Sequence, residues 1–314
     1  MPLLKLTDSL RGLAAHVMMA PMRWRPGLAT LAMTGAVLMV VSACSWRMDT
    51  PPEPFRTPSP VTVLRDQMAA AETAVGNAAA NGTGPVAEAE EAAVPVRLTA
   101  LGGVSPTSSP RASTDLESTV AAASAAARDC MDGADHNPLG GLCASILLAH
   151  TVLSAQPELA QWDATDLVVG SQVTPPSNTA VTADTVSRLA LEHDQLRALY
   201  EVIAARSKGA VRTSALASSS AERTRVAALL AVPGVSDLTE PAYQIPVDDN
   251  AALTAHTALA HTYAALLIGA KPQDRAWLLN SAFVAYEHAI SSGMALTDVP
   301  ALPGAHQPSP SATP

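Results

Sequence analysis

The last third of the chain carries the most regular hydrophobic pattern. From Asp184 to Ser207, Val186, Leu189, His193, Leu196, Tyr200 and Ile203 recur at alternating steps of three and four. That spacing is the seam of a packed amphipathic helix, and Lys208-Gly209 ends it. A second helix is predicted over Ser218–Val232, capped by Ser218, Ser219 or Ser220 and stopped by Pro233-Gly234. After a long connection with Pro241 and Pro246, Asp249–Ala270 repeats the seam through Leu253, His256, Ala260, Tyr263 and Leu267. Pro272 opens a fourth helix with Trp277, Leu279, Phe283, Tyr286 and Ile290 on its apolar side, ending near Gly293. No comparable alternation of period two occurs, and the fold class predicted is all-α.

The pattern is weaker upstream. Val61–Ala93 is rich in Ala and Glu and reads as helix, interrupted at Asn81-Gly82 and Gly84-Pro85, with no good apolar stripe in its second half. Stability there has to come from packing elsewhere. Val94–Ser113, with its Gly, Pro, Ser and Thr clusters, reads as a loop. Thr114–Met131 is a better helix, with Thr114 or Asp115 as cap and Leu116, Val120, Ala123 and Ala127 at helical spacing. Gly133–Gly141 reads as a loop before a helix over Leu142–Ser154. Pro157–Thr182 is a connector, and the Pro-, Ser- and Ala-rich residues 298–314 are expected to be a disordered tail.

An uncharged run, Gly27–Ala43, follows Arg23 and Arg25 and ends in small residues before a cysteine. At 17 residues it reaches roughly 26 Å as a helix, short of the ~30 Å hydrocarbon core. The segment Leu38-Met39-Val40-Val41-Ser42-Ala43-Cys44 resembles the lipobox of bacterial lipoproteins. The resemblance implies a signal peptide over residues 1–43, with Met22 a better start than Met1. It also implies a diacylglyceryl group on the Cys44 sulfur and cleavage just before that residue. The protein is then expected on the outer face of the cytoplasmic membrane, held there by lipid. Residues 44–60 hold five prolines and read as an extended tether.

Charge narrows the choice of partners. Four of the 19 basic residues and one of the 28 acidic ones lie before Cys44, which leaves a net charge of −12 and only two lysines, Lys208 and Lys271. An acidic, lysine-poor surface argues against nucleic acid and against electrostatic binding to anionic lipid. With Cys44 taken by lipid, Cys130 and Cys143 remain as an even pair, expected as a disulfide outside the cytoplasm. With His136 they could only make an incomplete zinc site. No aromatic residue lies between Phe55 and Trp162, so the best core is expected at the C-terminus.

The two predicted C-terminal hairpins with one long connection between them have the ferritin-like connectivity. Ala190-Leu191-Glu192-His193, the segment Ala242-Tyr243-Gln244-Ile245-Pro246-Val247 and the aromatic fourth helix look like a ferritin-like domain of unknown function found in high-GC Gram-positive bacteria. The resemblance covers Thr182–Met294. The predicted organisation is a ferritin-like four-helix bundle over 182–294, preceded by a helical region over 61–160 that carries the Cys130–Cys143 hairpin.

Ferritin-like di-iron sites draw carboxylates from all four helices and use two Glu-x-x-His pairs. This chain offers Glu192 and His193, His256 and His261, and Glu287 and His288, but no Glu-x-x-His in the four helices. The second helix supplies only Glu222, near its predicted start. His193, His256 and Glu287 are the candidate metal ligands, and no cofactor is expected. No G-x-S-x-G elbow, P-loop or dinucleotide fingerprint is present. The expectation is a non-catalytic envelope lipoprotein that binds or scaffolds an envelope protein or small molecule. The alternative is an iron- or zinc-handling protein built on those three residues.

Overall fold

The structure, a computed structural model, describes residues 57–103, 115–134, 137–156, 173–245, 248 and 250–305. Cys44, the expected signal segment and all but the end of the expected tether lie outside these residues, as do His136 and residues 306–314. The described residues are all-α, with no strand among them. The helices are α1 (Pro60–Asn81), α2 (Pro85–Ala100), α3 (Leu116–Gly133), α4 (Pro138–Ser154), α5 (Ala183–Arg206), α6 (Gly209–Leu230), α7 (Ala251–Ile268) and α8 (Pro272–Ser291). A 3₁₀ turn, Leu296–Asp298, follows.

The helices come as four hairpins, and both halves of the chain use the same plan. Short links (82–84, 134–137, 207–208, 269–271) close each hairpin, while long ones (101–115, 231–250) join hairpin to hairpin. In the first half α1 packs on both α2 and α3, and α3 on α4; in the second α5 packs on both α6 and α7, and α7 on α8. Local chemistry starts the helices where the chain needs them. Ser59, Asp115, Asn137 and Thr182 cap α1, α3, α4 and α5 through their side chains, and Pro occupies the first turn of α1, α2, α4 and α8.

The helical region expected over 61–160 and the bundle expected over 182–294 are not separate bodies among the described residues. The described residues from Pro58 onward form one compact unit with a continuous apolar core. Its centre is α4, which packs against α1, α2, α3, α7 and α8 and is buried nearly all round, from Leu139 to Ser154. A helix apolar on every side belongs inside a protein, and α4 is that helix here. The core is therefore not confined to the aromatic C-terminal third.

Four boundaries differ from expectation, each for a packing reason. α4 begins at Pro138, so Gly140 and Gly141 are helical and not loop. A Cβ on Gly141 would stand 2.1 Å from the Ile268 carbonyl oxygen, so this glycine lets α4 lie against the end of α7. α2 runs on to Ala100 with Pro95 inside it, because Val94 before the proline and Arg97 after it are both drawn into the core. α6 begins at Gly209, nine residues ahead of the serine cluster. Gly209 supplies a left-handed turn (φ +59°), and Arg212 Nη1 donates to the Ala204 carbonyl, so α6 folds back on α5 at once. The fourth difference is the expected tail, since residues 298–305 are packed. Val299 and Leu302 are buried, and Ser145 Oγ donates to the Pro303 carbonyl at 2.7 Å. Gly304, at φ +81°, presses on the α7 backbone, where any Cβ would meet the Ala264 carbonyl.

Cys130 and Cys143 are bonded, fully buried, with Cα atoms 5.9 Å apart. The bridge clamps the α3/α4 hairpin at its turn, and a loop of that size contributes ~3 kcal/mol in the chain-entropy treatment.

A buried charge cluster joins α1, α2 and α4. Glu72, Glu90, Arg97 and His150 are each fully removed from solvent. His150 Nδ1 donates to Glu90 Oε1 (2.9 Å) and Nε2 to Glu72 Oε1 (2.7 Å). Arg97 Nη1 donates to Glu90 Oε2 (2.6 Å) and Glu72 Oε2 (3.3 Å), and Arg97 Nε to the Ala301 carbonyl (3.0 Å). Burial alone would raise the Glu90 carboxyl, but Arg97 and His150 hold it at about 2. Burial would likewise lower the imidazolium, but Glu90 and Glu72 raise His150 to about 9. Two carboxylates thus face two cations, which is how four ionisable groups can occupy an apolar interior. Removing one member leaves the others uncompensated. Arg97→Leu is expected to cost about 3–5 kcal/mol in denaturant unfolding, and a loss under ~1 kcal/mol would contradict this assignment.

Candidate functional site

The second half has a buried polar cluster of its own, centred on His193 of α5. The seam predicted for α5 puts His193 inward, 3 % exposed, beside Glu222 of α6 and Tyr263 of α7. His193 Nδ1 donates to Glu222 Oε2 at 2.5 Å, and Nε2 bonds the Tyr263 hydroxyl at 2.7 Å. Arg225 Nη1 donates to the other Glu222 oxygen at 2.9 Å. Burial would raise Glu222, but His193 and Arg225 hold its carboxyl below the usual range. Because α6 begins at Gly209, Glu222 lies mid-helix and not near the start, which is what brings it level with His193.

His256 of α7 accepts from the Tyr200 hydroxyl at 2.6 Å and stacks on His288 at 4.8 Å between ring centres. Burial, reinforced by His288 and Arg225, lowers His256 to about 4, so the ring is neutral at pH 7. His193 and His256 both border a void of about 10 Å³, room for roughly one water. Glu287 does not border it. That residue receives a bond from Gln156 Nε2 at 3.4 Å, toward the end of α4. The three candidate ligands therefore do not converge, and His261 is exposed. Among the described residues no group of three or more His, Cys, Asp or Glu side chains is placed to hold a metal ion.

The larger concavity lies elsewhere, between α5, the 231–250 connection and α7. It is a groove of about 510 Å³. Leu196 and Leu199 of α5, Ile245 of the connection, and Ala251, Ala255 and Leu259 of α7 supply its apolar surface. Glu192, Glu240, Asp248, Gln195 and Gln244 supply its polar edge. The connection is pinned so that the groove keeps its shape. Tyr243 donates to Asp194 Oδ2 at 2.7 Å, and the Glu240 N–H donates to the Tyr243 oxygen at 2.8 Å. Ser236 N donates to Ser187 Oγ at 2.9 Å. Asp194 also takes Arg197 Nε at 2.6 Å, and the bonds from Arg197 and Tyr243 outweigh burial and keep its carboxyl low.

Sequence reasoning missed several of these residues. Glu72, Glu90, Arg97 and His150 sit in segments with little apolar periodicity. The available signals were a seven-residue Glu90–Arg97 spacing, which returns to one helix face, and a histidine inside the most apolar helix. The groove leaves no motif, because it is lined from three segments whose side chains are individually unremarkable. Compared with protein-family models, curated proteins and solved structures, the chain matches none.

Two of the buried histidines, His150 and His256, are shifted in opposite directions, and each gives stability its own dependence on pH. His150 is raised from 6.5 to about 9, so its contribution is complete below pH 6.5 and lost as pH climbs toward 9. His256 is depressed from 6.5 to about 4, so protonation favours the unfolded chain and stability falls as pH drops from 6.5 toward 4. Glu90 adds a further loss only below pH 4.5, toward 2. Melting temperature is expected to peak near pH 6.5. His150→Gln should lower it overall and flatten the alkaline limb, and His256→Gln should flatten the limb between pH 6.5 and 4. A wild-type profile level from pH 6.5 to 9 would contradict a protonated His150.

Proposed function

We propose that this chain is an envelope lipoprotein, anchored through lipid on Cys44, whose helical domain binds a ligand and does no chemistry on it. The observation that carries the binding role is the groove of about 510 Å³, within the usual range of ligand pockets and largely apolar with a few polar groups at its edge. The lipobox-like segment supports the anchor, and the buried Cys130–Cys143 bridge suits an oxidising, extracytoplasmic setting. The hairpins α5/α6 and α7/α8, joined by a long connection, support a ferritin-like reading of the second half.

The metal-handling alternative is the weaker reading. Both ring nitrogens of His193 are committed to Glu222 and Tyr263, His256 is tied to Tyr200, and Glu287 faces α4. These bonds are those of histidines serving the packing of a helical core.

Two measurements test the proposal. In cells, the wild-type chain should fractionate with the membrane, and Cys44→Ala should shift it out of the lipidated pool, read by metabolic labelling with a fatty acid. Labelling unchanged by the substitution would remove the anchor. For the groove, a neutral apolar fluorophore, N-phenylnaphthylamine, should bind the full chain, and Ala255→Trp, which fills the groove, should reduce that binding by about tenfold or more. Fluorescence unaltered by Ala255→Trp would remove the binding role.

A further inference from the structure

Resting on that binding role, we propose that the groove takes an organic cation: an ammonium or similar head on an apolar body, with Glu192 as counter-ion to the head. Among the described residues three carboxylates line the groove, Glu192, Glu240 and Asp248, and no Lys or Arg does. An acidic concavity on a domain of net negative charge focuses a potential that draws cations and repels anions.

Glu192 is the group best placed for the role. It is half-buried, and its Oε2 is shielded from solvent yet accepts no hydrogen bond. A carboxylate oxygen in that position is an unfilled acceptor, costly to leave so and strengthened by a charged donor. The ionisable groups acting on it are His193, its neighbour, and Arg188, one turn away; neither lines the groove. Burial has the largest effect on it and raises its carboxyl, so the ionised form gains most from a cation arriving on the open side.

The apolar surface specifies the rest of the ligand. Leu196 and Leu199 follow Glu192 at i+4 and i+7 on one face of α5, so the apolar strip extends roughly 10 Å from the acid at 1.5 Å per residue. Opposite, α7 presents Ala251, Ala255 and Ala258 at the same spacing, and these short side chains leave the space that leucines would have filled. A hydrated inorganic ion gains nothing from such a floor, whereas an alkyl or aryl body does. Tyr243 adds an aromatic ring at the groove, its hydroxyl already held by Asp194 and the Glu240 N–H. A ring fixed in this way offers a face to a cationic head.

The test uses three ligands of one shape and different charge, hexylammonium, 1-hexanol and hexanoate, titrated calorimetrically into the full chain held in zwitterionic nanodiscs. Ala255→Trp serves as the control for partition into lipid. Hexylammonium is expected to bind at least about tenfold more tightly than the other two, and Glu192→Gln should erase that preference, with Ala255→Trp removing the binding that remains. Equal binding of all three, abolished by Ala255→Trp, would overturn the charge assignment and leave the groove as a binding site. Binding of none of them beyond the Ala255→Trp control would overturn the groove and the charge assignment together.

Discussion

Everything in this fold follows from burying α4. Fifteen of its residues are out of solvent, and it packs on helices of both halves of the chain. Such a helix has no polar face to spare, yet it carries His150 one turn from its C-terminal end. A lone imidazole there would have to stay neutral and find two partners. The chain instead brings a glutamate from α1 and another from α2 to its two nitrogens, and sets Arg97 across from both. Hydrophobic burial is indifferent to the angle at which α1 and α2 approach α4. The hydrogen bonds are not, and they set the register of three helices at once. Arg97 then reaches the carbonyl of Ala301, so the strand of chain after α8 is fastened to the first half by the same cluster.

The second half solves the same problem at smaller cost in charge. His193 takes one carboxylate and one phenol where His150 takes two carboxylates, and a single arginine, Arg225, backs the carboxylate. His256 has a phenol and a stacked ring and no acid, and it is held neutral. Seen this way, a histidine on the seam of a helical bundle is weak evidence for metal. The bundle needs polar side chains to fix its register, and it consumes their lone pairs and protons in doing so.

The sequence made the helices of the last third legible because their seams are long, aromatic and regular. Val186 to Ile203 and His256 to Leu267 could hardly be read otherwise. It misled wherever one local rule was overridden by a distant contact. Gly140 and Gly141 read as loop residues, but their missing side chains admit the backbones of Ala134 and Ile268. The helical segment read as ending at Ala93, but the core beyond Pro95 holds Arg97, and Thr99 Oγ1 donates back to the Pro95 carbonyl to keep the last turn closed. The serines at 218–220 read as caps, but α5 was close enough for α6 to start at once from Gly209. Among the candidate site residues, the seam identified His193 and His256 as inward-facing. Periodicity gave no distance between helices, so Glu287 was grouped with them although it faces another neighbour. The charge cluster was illegible because Glu72, Glu90 and Arg97 look like ordinary surface residues of a poorly patterned segment.

The same logic explains why the concavity lies beside the connection and not inside the bundle. The interior of the second half is filled by its own hydrogen-bonded histidines and by Trp277 and Tyr286, leaving a void fit for about one water. More space survives where α7 turns its alanines toward α5 and the 231–250 segment bridges the gap without filling it. That segment is long because it must carry the chain from the end of α6 to the start of α7, and its length is a requirement of the hairpin plan. Pinned by Tyr243 to Asp194, it becomes a fixed wall and not a loose cover. A binding surface made this way depends on the packed core only for its floor, so its edge residues, Glu192 and Glu240 among them, can be changed without disturbing the charge cluster that holds the fold together.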